Sequence, residues 1–371
     1  MIGLNDFTRQ WSDLRTDAVS AFEVVGASGW YILGREVQQF ECALAEYWSL
    51  PHAVGVASGL DAIEIALRVL GCRAGDKVLT TPLSAFATTL AILKIGAVPV
   101  FCDVDEFGLV DLGAAEEALA ADESIHYFVP VHLYGHALNL PKLKALQKRF
   151  QVAVMEDCAQ SIGARFDGVL TGHVGALAAT SFYPTKNLGA IGDGGAILAR
   201  TEEHDRAARS LRDYGQVDKY QHALIGYNSR LDELQAALLR RVSLPRLDHW
   251  LEQRRRISAA YTRCIRNERV EIPGAPSQSS GCWHLFPVLV TPSLRCDFIA
   301  HLQQQKIGAG VHYPTAIPDQ PAMATVEYEI STSGIERARS FCRSEVSLPV
   351  HPYLTDTEVS RVIQAVNSWR S

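Results

Sequence analysis

Apolar positions along the first two hundred residues switch between two periods. Val37, Phe40, Leu44, Ala45 and Trp48 recur every three or four residues, which puts them on one face of a helix. The unbroken run Ala53–Ala57 then reads as a short buried strand and stops at Ser58–Gly59. Ala62, Ile63, Ala66, Val69 and Leu70 predict the next helix, closed by Gly71. The alternation continues. Strands are predicted at Lys77–Thr80, Val98–Asp103, Tyr127–His132 and Val152–Asp157, with helices at Thr88–Ile95, Leu112–Ala120 and Lys142–Phe150 between them. Strands separated by helices are βαβ units, so the sheet is predicted to be largely parallel.

After about residue 176 the pattern changes. Ala178–Phe182 and Ala196–Ala199 predict two more strands, and Leu231–Arg241 and His249–Ile265 two helices with Pro245 interrupting them. Pro273–Gly281 is rich in Pro, Ser and Gly and is the best linker candidate. Beyond it come a strand (Leu285–Val290), a helix (Phe298–Gln305) and a terminal helix from about Thr355. The expected organisation is a large α/β domain, 1–248, and a smaller C-terminal α+β domain, 249–371.

Composition narrows the function. Of 371 residues, 47% are apolar and 20% charged, enough to bury a core and too few charges for a disordered chain. The net charge of −6 argues against a chain-wide nucleic-acid footprint. No apolar run reaches the eighteen or so residues of a membrane span. Met1–Gln10 contains Asp6 and Arg9 and no apolar signal core. The eight cysteines are scattered with no C-x-x-C, so neither a zinc cluster nor a redox pair is expected. They read as buried thiols in a reducing compartment, the cytoplasm by default.

In open α/β sheets, ligands bind beyond the carboxyl ends of the strands. After the first predicted strand comes Ser58-Gly59-Leu60-Asp61 at a helix start, where free N–H groups suit a phosphate or the serine simply caps the helix. After Val152–Met155 comes Glu156-Asp157-Cys158-Ala159-Gln160, a carboxylate aimed at a bound cation or another cap. Then Ser181-Phe-Tyr-Pro-Thr-Lys186-Asn-Leu-Gly189 leads into Gly192-Asp-Gly-Gly195. Most lysines sit on solvated faces; the alternative for one between aromatic and glycine-rich flanks is desolvation, which would lower its pKa and prepare it as a nucleophile. One chemistry wants all three features. Pyridoxal phosphate needs a lysine, an acid for its ring nitrogen and a phosphate cup at a helix N-terminus.

These segments resemble the DegT/DnrJ/EryC1/StrS sugar aminotransferases, which have the fold-type-I, aspartate aminotransferase-like architecture. The likeness runs from Ser28 to about Leu354. It includes Ser28-Gly-Trp-Tyr-Ile-Leu-Gly34, Val131-His-Leu-Tyr-Gly135, Glu156–Ser161, Ser181–Asn187, Asn228-Ser-Arg-Leu-Asp-Glu-Leu-Gln-Ala236 and His312-Tyr-Pro314. The resemblance implies that Lys186 bonds the cofactor and shuttles the proton, that Asp157 pairs with the ring nitrogen, and that Gln160 meets the ring hydroxyl. It implies that Phe86 stacks on the ring, that Ser181 and the amides of Gly59, Leu60 and Asp61 hold the phosphate, and that Asn228 reaches it from a partner subunit. Trp30, Tyr31, Tyr183, Tyr214, Lys219, Tyr220, Arg230, His312 and Tyr313 are the expected contacts of the substrates. Leu60 departs from the family, which usually has threonine there.

The implied activity is transfer of an amino group, from glutamate, to C3 of a dTDP-linked 3-keto-6-deoxyhexose by a homodimer with shared sites. The alternatives are a UDP-linked 3-keto N-acetylated uronic acid as substrate, or a regulator that binds the cofactor or a sugar nucleotide without catalysis. No membrane or metal partner is expected.

Overall fold

The apolar runs assemble into one eight-stranded sheet in the computed structural model, which describes residues 1–370. Its strands are β1 (His52–Val56), β2 (Lys77–Thr80), β3 (Val98–Phe101), β4 (Ile125–Val129), β5 (Ala153–Asp157), β6 (Leu177–Ser181), β7 (Gly195–Ala199) and, from much later in the chain, β9 (Glu329–Ile330). They lie in the order β1-β7-β6-β5-β4-β2-β3-β9. Only β7 runs against its neighbours, pairing antiparallel with both β1 and β6; the other pairs are parallel. This is the largely parallel sheet that the sequence predicts.

Both faces of the sheet are covered, as parallel strands require. Successive strand residues point to opposite faces. Leu79, Phe128 and Val154 join one apolar cluster with the helices α5 (Leu112–Ala121) and α6 (Leu140–Phe150). Their neighbours Val78, Val129 and Met155 join another with α3 (Gly59–Val69), α4 (Phe86–Ile95) and α7 (Glu202–Arg212). The stripe predicted around Phe40 is the buried face of α2 (Arg35–Trp48). That helix begins at Gly34, which has no capping side chain. Instead the Glu233 carboxylate accepts the N–H groups of Gly34, Glu36 and Val37 at 2.8–2.9 Å.

The structure departs from the sequence prediction in several places. The first helix, α1 (Phe7–Ser28), was not predicted; Leu14, Ala18, Ala21 and Val25 are its buried stripe, and Asp6 caps it. The segment predicted as one helix at Leu231–Arg241 is a short α8 (Glu233–Leu238) that widens to a π turn at Leu239–Ser243. A 3₁₀ turn holding Pro245 follows before α9 (Leu247–Cys264). Proline lacks the N–H that a regular helix would use there.

In the last third, β8 (Phe286–Leu289) pairs antiparallel with β10 (Glu345–Leu348). Around them α9, α10 (Arg295–Gln304) and α12 (Asp356–Ser368) share an apolar cluster that also buries Ile2. Between β9 and β10 lies α11 (Glu336–Ser344). The Pro273–Gly281 stretch is not a free tether at its end, since Ser279–Ser280 pairs with Arg165–Phe166.

Candidate active site

The carboxyl ends of β1, β5 and β6 open on a cavity of about 380 Å³, closed from the other side by His284, Leu285, His312, Tyr313 and Leu348. The pleat sorts the two acids at the end of β5. Glu156 turns away into the interior and accepts from His132 Nε2 and from the N–H groups of Gly172, Val174 and Gly175 at 2.7–2.9 Å. Burial pushes this carboxyl up, but those hydrogen bonds outweigh it and hold it below the ordinary carboxylate range. Asp157 faces the cavity and is 3% exposed. Its Oδ1 accepts from Ala159 N at 3.0 Å and its Oδ2 from Thr88 Oγ1 at 2.8 Å. Here burial wins and raises the carboxyl, although both hydrogen bonds and the charge of Lys186 oppose it. Such an acid gains most from a cationic partner in the cavity.

Lys186 sits on the loop between β6 and β7 and lines the same cavity. Its backbone N–H donates to Tyr183 O at 2.8 Å. Its Nζ makes no hydrogen bond or ion pair among the described residues. Desolvation lowers its ammonium to about 8, against the pull of Asp157 and Cys282. The lysine therefore offers a neutral amine at mildly basic pH.

At the start of α3, Ser58 caps the helix by accepting from Asp61 N at 3.1 Å. Gly59 and Leu60 line the cavity opposite Ser181. A Cβ on Gly59 would lie 2.6 Å from Ser181 Cβ, so glycine is what lets the helix end and the serine share one cradle. Helix-start amides beside a hydroxyl form a phosphate cup. Asp61, expected to lend its amide, does not; Ser58 already occupies it, and its carboxylate accepts from Ser229 Oγ at 2.7 Å. Gln160 lines the cavity with its carbonyl accepting from Tyr134 N at 2.9 Å and its amide 3.3 Å from Tyr313 Oη.

Lys186, Asp157, Gln160, Ser181, Gly59, Leu60, Tyr183, His312 and Tyr313 are thus brought together. Phe86 is not among the lining residues; it is half-buried against Phe101, Ile317, Met323 and Ile335, while its neighbours Ala85, Ala87 and Thr88 line the cavity. The remaining predicted contacts lie away from this chain's own cavity. Trp30, Tyr31, Tyr214 and Tyr220 are 46–80% exposed, and Lys219 and Asn228 are exposed too. Arg230 is tied to Asp213 at 3.0 Å and lies over the Tyr214 ring. Thr88 and His284 were not singled out from the sequence. Nothing local marks them, because each meets the site only through the fold.

The cavity fits a flat, ring-cationic phosphate ester with a group that a lysine can attack. A buried acid lacks a strong counter-charge, a lysine lacks a partner, and a glycine leaves room beside a helix-start anion cup.

A family model described as the DegT/DnrJ/EryC1/StrS aminotransferase family matches residues 12–367. The chain is 36% identical over 362 residues to a pleiotropic regulatory protein of Geobacillus stearothermophilus, covering 97% of this chain and 96% of that one. It is 38% identical over 367 residues to the dTDP-3-amino-3,4,6-trideoxy-alpha-D-glucose transaminase of Streptomyces venezuelae, covering 98% and 95%. The crystal structure of S. venezuelae DesV in complex with a ketimine intermediate superposes with a TM-score of 0.94 at 37% identity, over 99% of this chain and 98% of that one.

Proposed function

Because this chain belongs to the DegT/DnrJ/EryC1/StrS aminotransferase family, we propose that it aminates C3 of a dTDP-linked 3-keto-6-deoxyhexose, with glutamate as the amino donor. The observation that carries the reading is the meeting of Lys186, Asp157 and the Ser181–Gly59 cradle in one cavity. Pyridoxal phosphate, the cofactor of this enzyme class, supplies an aldehyde carbon that exchanges amines and a protonated ring that withdraws electrons.

The protein's own groups then divide the work. Ser181 Oγ and the amides of Gly59 and Leu60 receive the phosphate. Asp157 keeps the ring nitrogen protonated, since an anion in a water-poor site favours the charged form of its neighbour. Gln160 borders the ring's hydroxyl edge. Lys186, held near pKa 8 by desolvation, takes up and returns a proton close to neutral pH. With the cofactor bound, Asp157 would hold the ring in its electron-withdrawing form, an effect larger in the transition state than in the ground state.

The active form is a homodimer with shared sites. Trp30, Tyr31, Tyr214, Lys219, Tyr220 and Asn228 stand at the surface away from their own cavity, which supports a role for them at the partner's. The identity to a dTDP-sugar transaminase favours the thymidine nucleotide. A regulator without catalysis has no need of an unpartnered lysine facing a buried acid. The test is to incubate the protein with pyridoxal phosphate, glutamate and a panel of 3-keto and 4-keto sugar nucleotides, and to detect aminated product by mass. Product only from UDP-linked uronic acids, or from 4-keto sugars, refutes the assignment.

A further inference from the structure

Glu345 is wholly buried and has no part in the chemistry above. No cation pairs with it among the described residues. It stands two residues before Ser347 on β10, so both side chains project from one face of that strand. Both meet His312. The Glu345 carboxyl accepts from His312 N at 2.6 Å and lies 2.5 Å from Ser347 Oγ. Ser347 Oγ in turn lies 2.9 Å from His312 Nδ1. Ser347 is itself fixed, its backbone exchanging hydrogen bonds with Gly310 at 2.8 and 3.2 Å. Tyr134 Oη donates to His312 O at 2.5 Å and holds the same residue from the other side. His312 lines the cavity, and its Nε2 makes no hydrogen bond among the described residues.

We propose that Glu345 is a positioning residue acting through Ser347: it fixes which nitrogen of His312 carries the proton, and so whether the ring offers the sugar nucleotide a donor or an acceptor. The inference rests on reading this cavity as a keto-sugar nucleotide site. The chain of three groups allows two proton arrangements. With Glu345 protonated, its O–H donates to Ser347, Ser347 donates to Nδ1, and Nε2–H faces the ligand. With Glu345 ionised, Ser347 donates to the carboxylate and accepts from Nδ1–H, and Nε2 presents a lone pair. One proton separates the two. It leaves to the cavity from Nε2, while the Ser347 proton moves to Nδ1 and the Glu345 proton moves to Ser347.

Burial raises the Glu345 carboxyl to about 8, against the pull of Ser347, His312 N and Arg295. His312 is kept neutral, since desolvation and the charge of Lys186 both lower it. The other titratable groups around Glu345 are Tyr134, Tyr313 and Cys342, all held neutral by burial. Keto and diphosphate oxygens only accept hydrogen bonds, so the Nε2–H form is the one that binds them.

The test compares wild type with E345Q and S347A in the amine-loaded form. The reaction with keto-sugar nucleotide is followed by cofactor absorbance as a function of pH. A glutamine amide donates to Ser347 while its carbonyl accepts from His312 N, so E345Q imitates the protonated acid at every pH. Lys186 titrates in the same range in both enzymes, so the quantity read is the ratio of wild-type to E345Q kcat/KM, which is expected to fall about tenfold between about pH 7 and pH 9. Histidine ¹⁵N shifts of the wild-type holoenzyme, assigned with an H312N variant, should move from the Nε2–H to the Nδ1–H pattern over the same interval. That signal should not move in S347A. An E345Q profile that inflects like wild type, or a His312 signal that keeps one pattern from pH 7 to 9, overturns the proposal. The glutamate half-reaction separates the two readings: if it runs while E345Q inflects like wild type, only the relay fails. If glutamate never aminates the cofactor, the aminotransferase reading fails with it.

Discussion

Replacing Asp157 by Asn separates its electrostatic role from its structural one. The carboxylate makes two hydrogen bonds, from Ala159 N and Thr88 Oγ1. Asparagine keeps both: its carbonyl accepts from Ala159, and its amide donates to Thr88 Oγ1. The Thr88 hydroxyl is then free to donate to Ser84 Oγ, 3.2 Å away. The hydrogen-bond count is unchanged, so the stability change from bonding is below about 1 kcal/mol. The charge term has a definite sign. The folded carboxyl is raised above its unfolded value, so the stability it contributes is present at low pH and lost as pH rises through its folded pKa. Above that folded pKa the cofactor-free wild type carries a buried charge that the variant lacks. Cofactor-free D157N should therefore melt at or above the wild-type temperature. Turnover should fall at least about a hundredfold, roughly 2.7 kcal/mol of lost transition-state stabilisation. Scanning calorimetry without cofactor and steady-state amination with it measure the two quantities on one preparation. Turnover within about threefold of wild type would remove Asp157 from the chemistry. A melting temperature lowered by ten degrees or so would make it a structural residue instead.

Three further outcomes are expected. Pyridoxal phosphate should attach to Lys186 faster as pH rises towards about 8 and then level off, because desolvation favours the reactive neutral amine; stopped-flow absorbance reads this, and a pH-independent rate contradicts it. Glu41 accepts from Gly55 N at 2.8 Å and pairs with Arg209 and the buried Arg212, so E41A should lose about 3–5 kcal/mol in urea unfolding by stranding that arginine. Mixing an N228A/R230A chain with a K186A chain should restore part of the activity, since in the proposed homodimer one of the two sites regains intact groups; mixed dimers that stay inactive would mean that each site is built from one chain.

The strands were legible because parallel strands buried on both faces leave unbroken apolar runs such as Ala53–Ala57. The central site groups were legible for a related reason: Asp157, Ser181 and Gly59 each stand where such a run stops, and the sheet topology aligns those ends. What was not legible has tertiary causes. The α1 stripe is half alanine, too weak an apolar signal among the polar residues of Phe7–Ser28. Thr88 reads as an ordinary helix residue until β5 brings Asp157 beside it. Phe86 looks like a ring-stacking residue in its motif, yet its packing partners include Ile317 and Met323 from the far end of the sequence. Glu345 and Ser347 sit in an unremarkable short strand whose meaning depends on where His312 comes to rest.

The reversed direction of β7 also bears on the order in which the molecule assembles. Because β6 and β7 are antiparallel neighbours, a single loop joins them, and Lys186 rides on a contact close in sequence. Such hairpins close early. The partners of that lysine arrive by other routes. Asp157 comes on β5, a parallel neighbour of β6 only about twenty residues away in sequence, whereas the Gly59 end of β1 docks on β7 from more than a hundred residues away. Contacts of such long range form late in folding. The chain thus sets Lys186 and Asp157 before the Gly59 side of the cavity closes around them. Cofactor capture during refolding becomes an optical marker of sheet completion, lagging behind the first burst of secondary structure.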